Sequence, residues 1–132
     1  MVEIIKKEIG LSFLDKLSEN FRRAKSSNPK LRVFIIDGYR VSFFESGENF
    51  YTINRFDAGG QGDQAMRKIV RIAKITSTKV DFFISPVCNS ELSRQKIIDW
   101  FEGNGFSAAK GENRKQAYIK NGDASLHMMF VG

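Results

Sequence analysis

A glycine-rich run, Asp57-Ala58-Gly59-Gly60-Gln61-Gly62, is the segment of this sequence best suited to binding chemistry. It lies between a strand-like stretch, 50–56, and a pattern of helical spacing, 63–76. Glycine lets the backbone approach a ligand closely, and the amides at the start of a helix attract anions. The run therefore predicts a phosphate-binding loop. A flexible turn without a ligand is the alternative interpretation.

Metal and disulfide chemistry are disfavoured because the required residue types are scarce. The sequence has one cysteine, Cys88, and one histidine, His127. A single cysteine cannot form an internal disulfide, and neither residue has a partner of its own type at metal-ligand spacing. We therefore expect no metal site, and we interpret Cys88 as a small buried side chain at the end of an apolar strand.

Length and composition indicate one domain over residues 1–132. A chain of 132 residues with 42 % hydrophobic residues can bury one substantial core. No apolar run is long enough to span a membrane, and the first eight residues lack the pattern of a signal peptide. The expected location is the cytoplasm.

The first half of the chain reads as one helix followed by strands. Ser12, with Asp15 three residues later, predicts the N-cap of a helix that continues to about Lys25. Asp37-Gly38 is a two-residue hairpin signal between two β-rich stretches, and Ser46-Gly47-Glu48 is a second turn. Three antiparallel strands are therefore predicted before the glycine run: 31–36, 39–45 and 49–56.

Helices and strands alternate in the second half. A basic helix, 63–76, leads to a short apolar run, 80–84, which is typical of a buried strand parallel to its predecessor. Asn89 or Ser90 is the predicted cap of a further helix that ends at Gly103-Asn104-Gly105. Two strands, 115–120 and 124–131, are predicted to follow and to be joined by Asn121-Gly122-Asp123.

This order of elements resembles the GNAT superfamily of acyl-CoA-dependent N-acetyltransferases. The glycine run is similar to that family's Gln/Arg-x-x-Gly-x-Gly/Ala loop, and Phe101-Glu102-Gly103-Asn104-Gly105-Phe106 is similar to its Tyr-Glu-x-x-Gly-Phe ending. The resemblance implies a mixed α/β (α+β) fold. Its sheet is mainly antiparallel with one parallel, splayed strand pair, and helices cover both faces.

The resemblance also implies acetyl-CoA as a substrate. Loop amides would hold its pyrophosphate at a helix N-terminus, and the strand before the loop would offer backbone groups to the pantetheine arm. Asp57 and Asp63 depart from the family pattern: Asp57 stands where the family has Gln or Arg, and Asp63 directly follows the last glycine. The negative charges of both residues repel a pyrophosphate. The residues implied for acyl-CoA binding are Ile53, Arg55, Gly59, Gly60, Gln61, Gly62, Asp63 and Arg67.

Groups for proton transfer are less clearly specified. The tyrosine that the family uses as general acid corresponds to Phe101, which has no proton to donate. Tyr118 is the candidate substitute, with Ser90 and Ser93 as further options. Glu45 is the candidate base that would take the proton of an unidentified amine acceptor, and Glu48 is a second option.

Two other functions are consistent with the sequence. The formal charge of +6 suits a polyanion, so a catalytically inactive GNAT-like module could bind nucleic acid or a protein. Its phosphate contacts would come from Arg22, Arg23, Lys25, Arg67, Arg71 and Lys74. The sequence has 12 phenylalanines, and in a sheet covered by helices on both faces we interpret them as core. A homodimer formed through the C-terminal strands is the third hypothesis.

Overall fold

The structure is a computed structural model that describes residues 12–57, 62–86 and 90–131. These residues form two compact units that divide between Val80 and Asp81. The predicted residues Gly59, Gly60, Gln61 and Cys88 lie outside the described residues, as does the N-terminal segment 1–11. A single domain over 1–132 stays a prediction.

The described part of the first unit consists of two helices, four strands and the start of a fifth. In chain order these are α1 (Phe13–Asn20), β1 (Arg22–Ala24), β2 (Leu31–Ile36), β3 (Tyr39–Gly47), β4 (Phe50–Asp57), α2 (Asp63–Ile75) and β5 (Lys79–Ile84). The second unit contains the rest of β5, then α3 (Glu91–Gly103), β6 (Ser107–Ala108), α4 (Glu112–Asn121) and β7 (Leu126–Val131).

The strand order confirms the predicted fold class. Seven strands follow the hydrogen-bonded order β1-β2-β3-β4-β5-β7-β6, and the sheet is mostly antiparallel with one parallel pair. The hairpin predicted at Asp37-Gly38 is present, because Ile36 pairs with Tyr39 and both turn residues have positive φ. Two consecutive residues of positive φ match the right-handed twist of the flanking strands.

The first helix is shorter than predicted. Its N-cap is correct: the Ser12 hydroxyl accepts from the Asp15 amide and the Asp15 carboxylate accepts from the Ser12 amide. Phe21, however, has extended backbone, and the next three residues form the edge strand β1, which pairs with 33–35 of β2. The predicted extension to Lys25 was wrong because residues 22–24 pair with β2 instead, and such tertiary pairing overrides local helix propensity.

The segment predicted as the strand 115–120 is helical. Helix α4 ends at Gly122, whose left-handed backbone (φ 61°) donates a hydrogen bond to the Tyr118 carbonyl. The Asn121-Gly122-Asp123 signal is therefore a helix C-cap rather than a hairpin turn, and the two structures use glycine in the same backbone region. One face of α4 buries Tyr118 and Ile119.

A buried arginine explains why this helix is stable at its C-terminal end. The Arg94 side chain on α3 is 5 % exposed. Its Nε donates to the Ile119 carbonyl at 2.7 Å, and its Nη2 donates to the Lys120 carbonyl at 3.0 Å. Carbonyls in the last helical turn have no partner within the helix, so a cation placed there satisfies them and also matches the helix dipole.

We predict that Arg94→Ala lowers the free energy of unfolding by about 2–4 kcal/mol, because it removes charged hydrogen bonds and leaves buried carbonyls unpaired. Urea denaturation measures the loss. Arg114→Ala is the matched control: its guanidinium donates to the Ser125 carbonyl at 2.9 Å from a half-buried position. Its expected cost is about 1 kcal/mol or less. Equal losses in the two variants would contradict the proposed cap.

Candidate functional site

The N-terminus of α2 is the described part of the glycine run. Gly62 is its N-cap, is buried, and accepts a hydrogen bond from the Met66 amide at 2.8 Å. Because glycine has no side chain, it places no capping oxygen over the first-turn amides. Asp63 begins the helix as an exposed acidic residue at its positive end.

Helix α2 separates an apolar face from a cationic face. Its buried residues are Ala65, Met66, Ile69, Ile72 and Ala73. Four cations are exposed at the spacing of the opposite face: Arg67, Lys68, Arg71 and Lys74. Lys68 forms an ion pair with Asp37 in the β2–β3 turn. Arg67 lies one turn after Asp63, which is where a cation can assist the helix N-terminus in binding an anion.

The opposite end of α2 is fixed by a polar cluster. The buried Thr78 hydroxyl donates to the Asn49 side-chain oxygen at 2.7 Å, and the Asn49 amide group donates to the Ser77 carbonyl at 2.6 Å. The Lys79 amide also donates to the Asn49 carbonyl at 3.1 Å. The start of β4 and the residues that follow α2 are thereby held together.

Strand β4 contains a β-bulge where the resemblance places substrate contacts. Arg55 pairs with Ser42 and Ile53 pairs with Phe43, so Asn54 is an extra residue without a partner on β3. A bulge kinks its strand and redirects backbone groups there. The Ile53 side chain is buried, whereas Asn54 and Arg55 are both exposed.

Glu45 lies beside a second irregularity in the sheet. It is exposed on β3 and pairs with Tyr51 of β4, just before a register shift at Ser46. Tyr51 is buried, and its ring stacks on Phe13 of α1. Burial, reinforced by the negative charge of Glu45, raises the pKa of Tyr51, so this phenol keeps its proton at neutral pH. The sequence interpretation overlooked Tyr51, although its place across a short turn from Glu45 could have indicated it.

Tyr118, the predicted acid, lies in the second unit. It is fully buried on α4, and its hydroxyl donates to the Ser85 carbonyl at 3.0 Å. Burial raises the pKa of Tyr118, while the Arg94 charge lowers it, and the net shift is upward. The phenol therefore stays protonated at neutral pH, and its proton is held in a bond to the backbone.

Phe101 is a core residue of the second unit. It is 5 % exposed, and its ring stacks on Phe82 at 5.1 Å and meets the edge of Phe106 at 5.3 Å. Gly105 is close to the same cluster, because a Cβ built there would lie 3.0 Å from the Phe130 ring. The Phe101–Phe106 motif thus contributes packing here and supplies no proton donor.

One polar pair in the second unit was missed by the sequence interpretation. The Asp81 carboxylate on β5 is 3 % exposed, and its Oδ2 lies 2.6 Å from Nε2 of His127 on β7. Its Oδ1 has no hydrogen-bond partner in the part of the chain that the structure describes. Phe83 stacks on the imidazole at 4.3 Å. No sequence signal links residues 46 positions apart, so only the strand pairing reveals the pair.

The six cations predicted to contact nucleic acid are all exposed and all belong to the first unit. Among residues 12–57, 62–86 and 90–131, no group of three His, Cys, Asp or Glu residues is arranged to hold a metal ion. Within the same ranges, no helix has both the length and the apolar character needed to cross a membrane.

Comparison with known proteins connects this geometry to one architecture. No model of a protein family matches the sequence, and no curated protein is a significant match. A solved structure assigned to the GNAT family of acetyltransferases, from Bacteroides thetaiotaomicron, matches with a TM-score of 0.52 and 14 % sequence identity. The match covers 100 % of this chain and 84 % of that one. The chain has the GNAT fold.

A second solved structure is similar to a lesser degree. It is a spermidine N-acetyltransferase chimera from Vibrio cholerae and hSSAT, with a TM-score of 0.49 and 13 % identity. The match covers 89 % of this chain and 74 % of that one. The first of these matches confirms, at the level of the fold, the GNAT resemblance predicted from the order of elements.

Proposed function

We propose that the chain is a divergent GNAT superfamily member that transfers an acetyl group from acetyl-CoA to an amine. The observation that carries the proposal is the N-cap of α2, Gly62, which has no side chain to cover the first-turn amides. Gly62 ends the glycine run that resembles the family's acyl-CoA loop, and we refer to residues 59–63 as the acyl-CoA cradle. Amides at a helix N-terminus bind phosphate through direct hydrogen bonds and the helix dipole.

Acyl-CoA binding is assigned to the predicted residues of the first unit. Gly59, Gly60, Gln61 and Gly62 supply backbone amides to the pyrophosphate, and Arg67 supplies an exposed cation one turn into α2. Ile53 and Arg55 supply backbone groups at the β4 bulge to the pantetheine arm and the thioester oxygen. Asp63 opposes binding through its charge, which favours a weak affinity.

The chemistry requires one bond to form and one to break. A neutral amine attacks the thioester carbon, its new C–N bond forms, and the carbonyl oxygen becomes an oxyanion that a β4 amide stabilises. The C–S bond then breaks and the thiolate leaves. The amine loses a proton to Glu45, and the thiolate takes one from solvent water. Tyr118 stays a prediction for the acid.

A catalytically inactive binding module is the alternative function. The burial of Phe101 against the rings of Phe82 and Phe106 favours it, because Phe101 stands where the family has its usual proton donor. Such a module would retain the fold and its cationic surface without turnover. Acetyl-CoA binding without release of free CoA, in the presence of a panel of primary amines, would support this alternative.

Binding is tested first with two cations of the same helix. We predict that Arg67→Ala weakens acetyl-CoA binding by about 10-fold or more, because it removes a charged hydrogen bond to phosphate. Lys74→Ala, at the far end of α2, should change the affinity little. Isothermal titration calorimetry measures both. Equal effects would indicate non-specific attraction, and no binding at millimolar acetyl-CoA would exclude the proposed substrate.

The base is tested with two acids that lie close in sequence. We predict that Glu45→Gln lowers kcat/KM for acetyl transfer by about 10²–10⁴-fold, because the amide cannot accept the proton. Glu48→Gln should leave activity nearly unchanged, since Glu48 lies in the exposed β3–β4 turn. Release of free thiol from acetyl-CoA reports the rate. A larger loss in Glu48→Gln would transfer the role of base to that residue.

A further inference from the structure

The excess positive charge of the chain lies entirely within residues 12–80. This segment carries thirteen Lys and Arg against seven Asp and Glu, a difference of six that equals the formal charge of the whole chain. The remainder of the chain is formally neutral. Acyl-CoA binding at the N-terminus of α2 uses only Arg67 of these cations, so most of this charge has no role in the proposed reaction.

Three of the unassigned cations surround a groove between α1 and α2. Its volume is about 540 Å³, and its rim carries Lys16 from α1 with Lys68 and Arg71 from α2. Small-molecule sites have volumes of roughly 300–1,000 Å³. We refer to this cavity as the α1–α2 groove.

Apolar side chains also line the α1–α2 groove. Phe21, Ile72 and Ile75 line it. Ile75, the last residue of α2, is 63 % exposed. An exposed isoleucine and a phenylalanine beside cations form a surface for a ligand that is apolar at one end and anionic at the other.

One of the three groove cations, Arg71, has a charge that no acidic residue in the described part of the chain neutralises. Lys68 pairs with Asp37, and Lys16 lies 3.5 Å from Glu19, where both side chains are partly exposed. Arg71 has no acidic partner among the described residues. A planar guanidinium without a carboxylate partner can form two parallel hydrogen bonds to a phosphate.

From this juxtaposition we infer a second binding site, specific for a nucleoside polyphosphate. Arg71 binds the phosphates with support from Lys16 and Lys68, and the base packs against Phe21 and Ile75. The site does not depend on acyl transfer. It differs from the acyl-CoA cradle because its cations lie in the middle of α2 and on α1, whereas the cradle is at the N-terminus of α2.

ATP is the probe, and isothermal titration calorimetry on the full chain is the measurement. We expect Arg71→Ala to weaken ATP binding by about 10- to 100-fold, because it removes charged hydrogen bonds. Lys74→Ala removes an exposed cation of the same helix outside the groove, and Arg67→Ala removes one at the cradle. Both should leave ATP affinity nearly unchanged.

Two ligand fragments test the two ends of the groove. Tripolyphosphate and adenosine should each bind more weakly than ATP, and Ile75→Ser should weaken ATP while leaving tripolyphosphate unaffected. Saturating acetyl-CoA should not displace ATP. Circular dichroism of each variant verifies that the fold is retained, which is expected because Arg71 and Ile75 are exposed.

Four results would overturn the inference. These are equal ATP losses in Arg71→Ala and Lys74→Ala, tripolyphosphate binding as tightly as ATP, displacement of ATP by acetyl-CoA, and binding of a single-stranded oligonucleotide without binding of ATP. The last result would instead identify the cationic face as a nucleic-acid surface. Since the cradle and the groove are tested by different variants, failure of ATP binding leaves the acyl-CoA proposal intact, and the reverse also holds.

Discussion

The burial of one face of α2 is the constraint on which the candidate site depends. Ala65, Met66, Ile69, Ile72 and Ala73 remove that face from water, which fixes the rotation of the helix about its own axis. Its N-terminus then begins at a glycine after β4, and its C-terminal end is joined to the start of β4 through Asn49 and Thr78. The charged face is left to water, and so the same packing that stabilises the first unit determines where anions can bind.

This arrangement favours binding more strongly than it favours catalysis. A helix N-terminus with a glycine cap is suited to phosphate without any further group. Proton transfer, in contrast, needs side chains of particular chemistry, and here Phe101 is part of an aromatic core while Tyr118 is bonded to the Ser85 carbonyl. The chain therefore has the GNAT fold, although Phe101 stands where the family has its usual tyrosine acid. A fold does not by itself determine function, which depends on the residues of the site.

Short sequence signals correctly predicted the turns and helix starts that are stabilised by interactions between residues close in sequence. Asp37-Gly38 specified its hairpin, and Ser12 with Asp15 specified a helix start, because each interaction closes within a few residues. The hairpin predicted at Gly122 was wrong, since a left-handed glycine is equally suited to a hairpin turn and to a helix end. The contact that decides between them comes from Arg94, more than twenty residues away. The edge strand β1 was missed for the same reason, because it pairs with residues 33–35 of β2, about ten residues further along the chain.

In the candidate site, too, residues within one segment were predictable from the sequence, whereas pairs that are distant in sequence were not. Gly62 and Arg67 were predicted from a contiguous run and the helix that follows it, and both take positions at the expected end of α2. The Asp81–His127 pair, the Tyr51 environment and the α1–α2 groove each join residues that are distant in sequence or that pair across strands. These features cannot be predicted from residue spacing within one segment, because they depend on how the helices and strands pack.

The central claim is that the first turn of α2 binds the pyrophosphate of acetyl-CoA, and backbone amide NMR tests it most directly. Titration with acetyl-CoA should produce its largest chemical-shift changes at the amides of Gly62, Asp63 and Gln64, with saturation at one common dissociation constant. The amide of Lys74, at the other end of the helix, should shift little. Saturable shifts confined to other parts of the chain, with the first turn of α2 unaffected, would contradict the account.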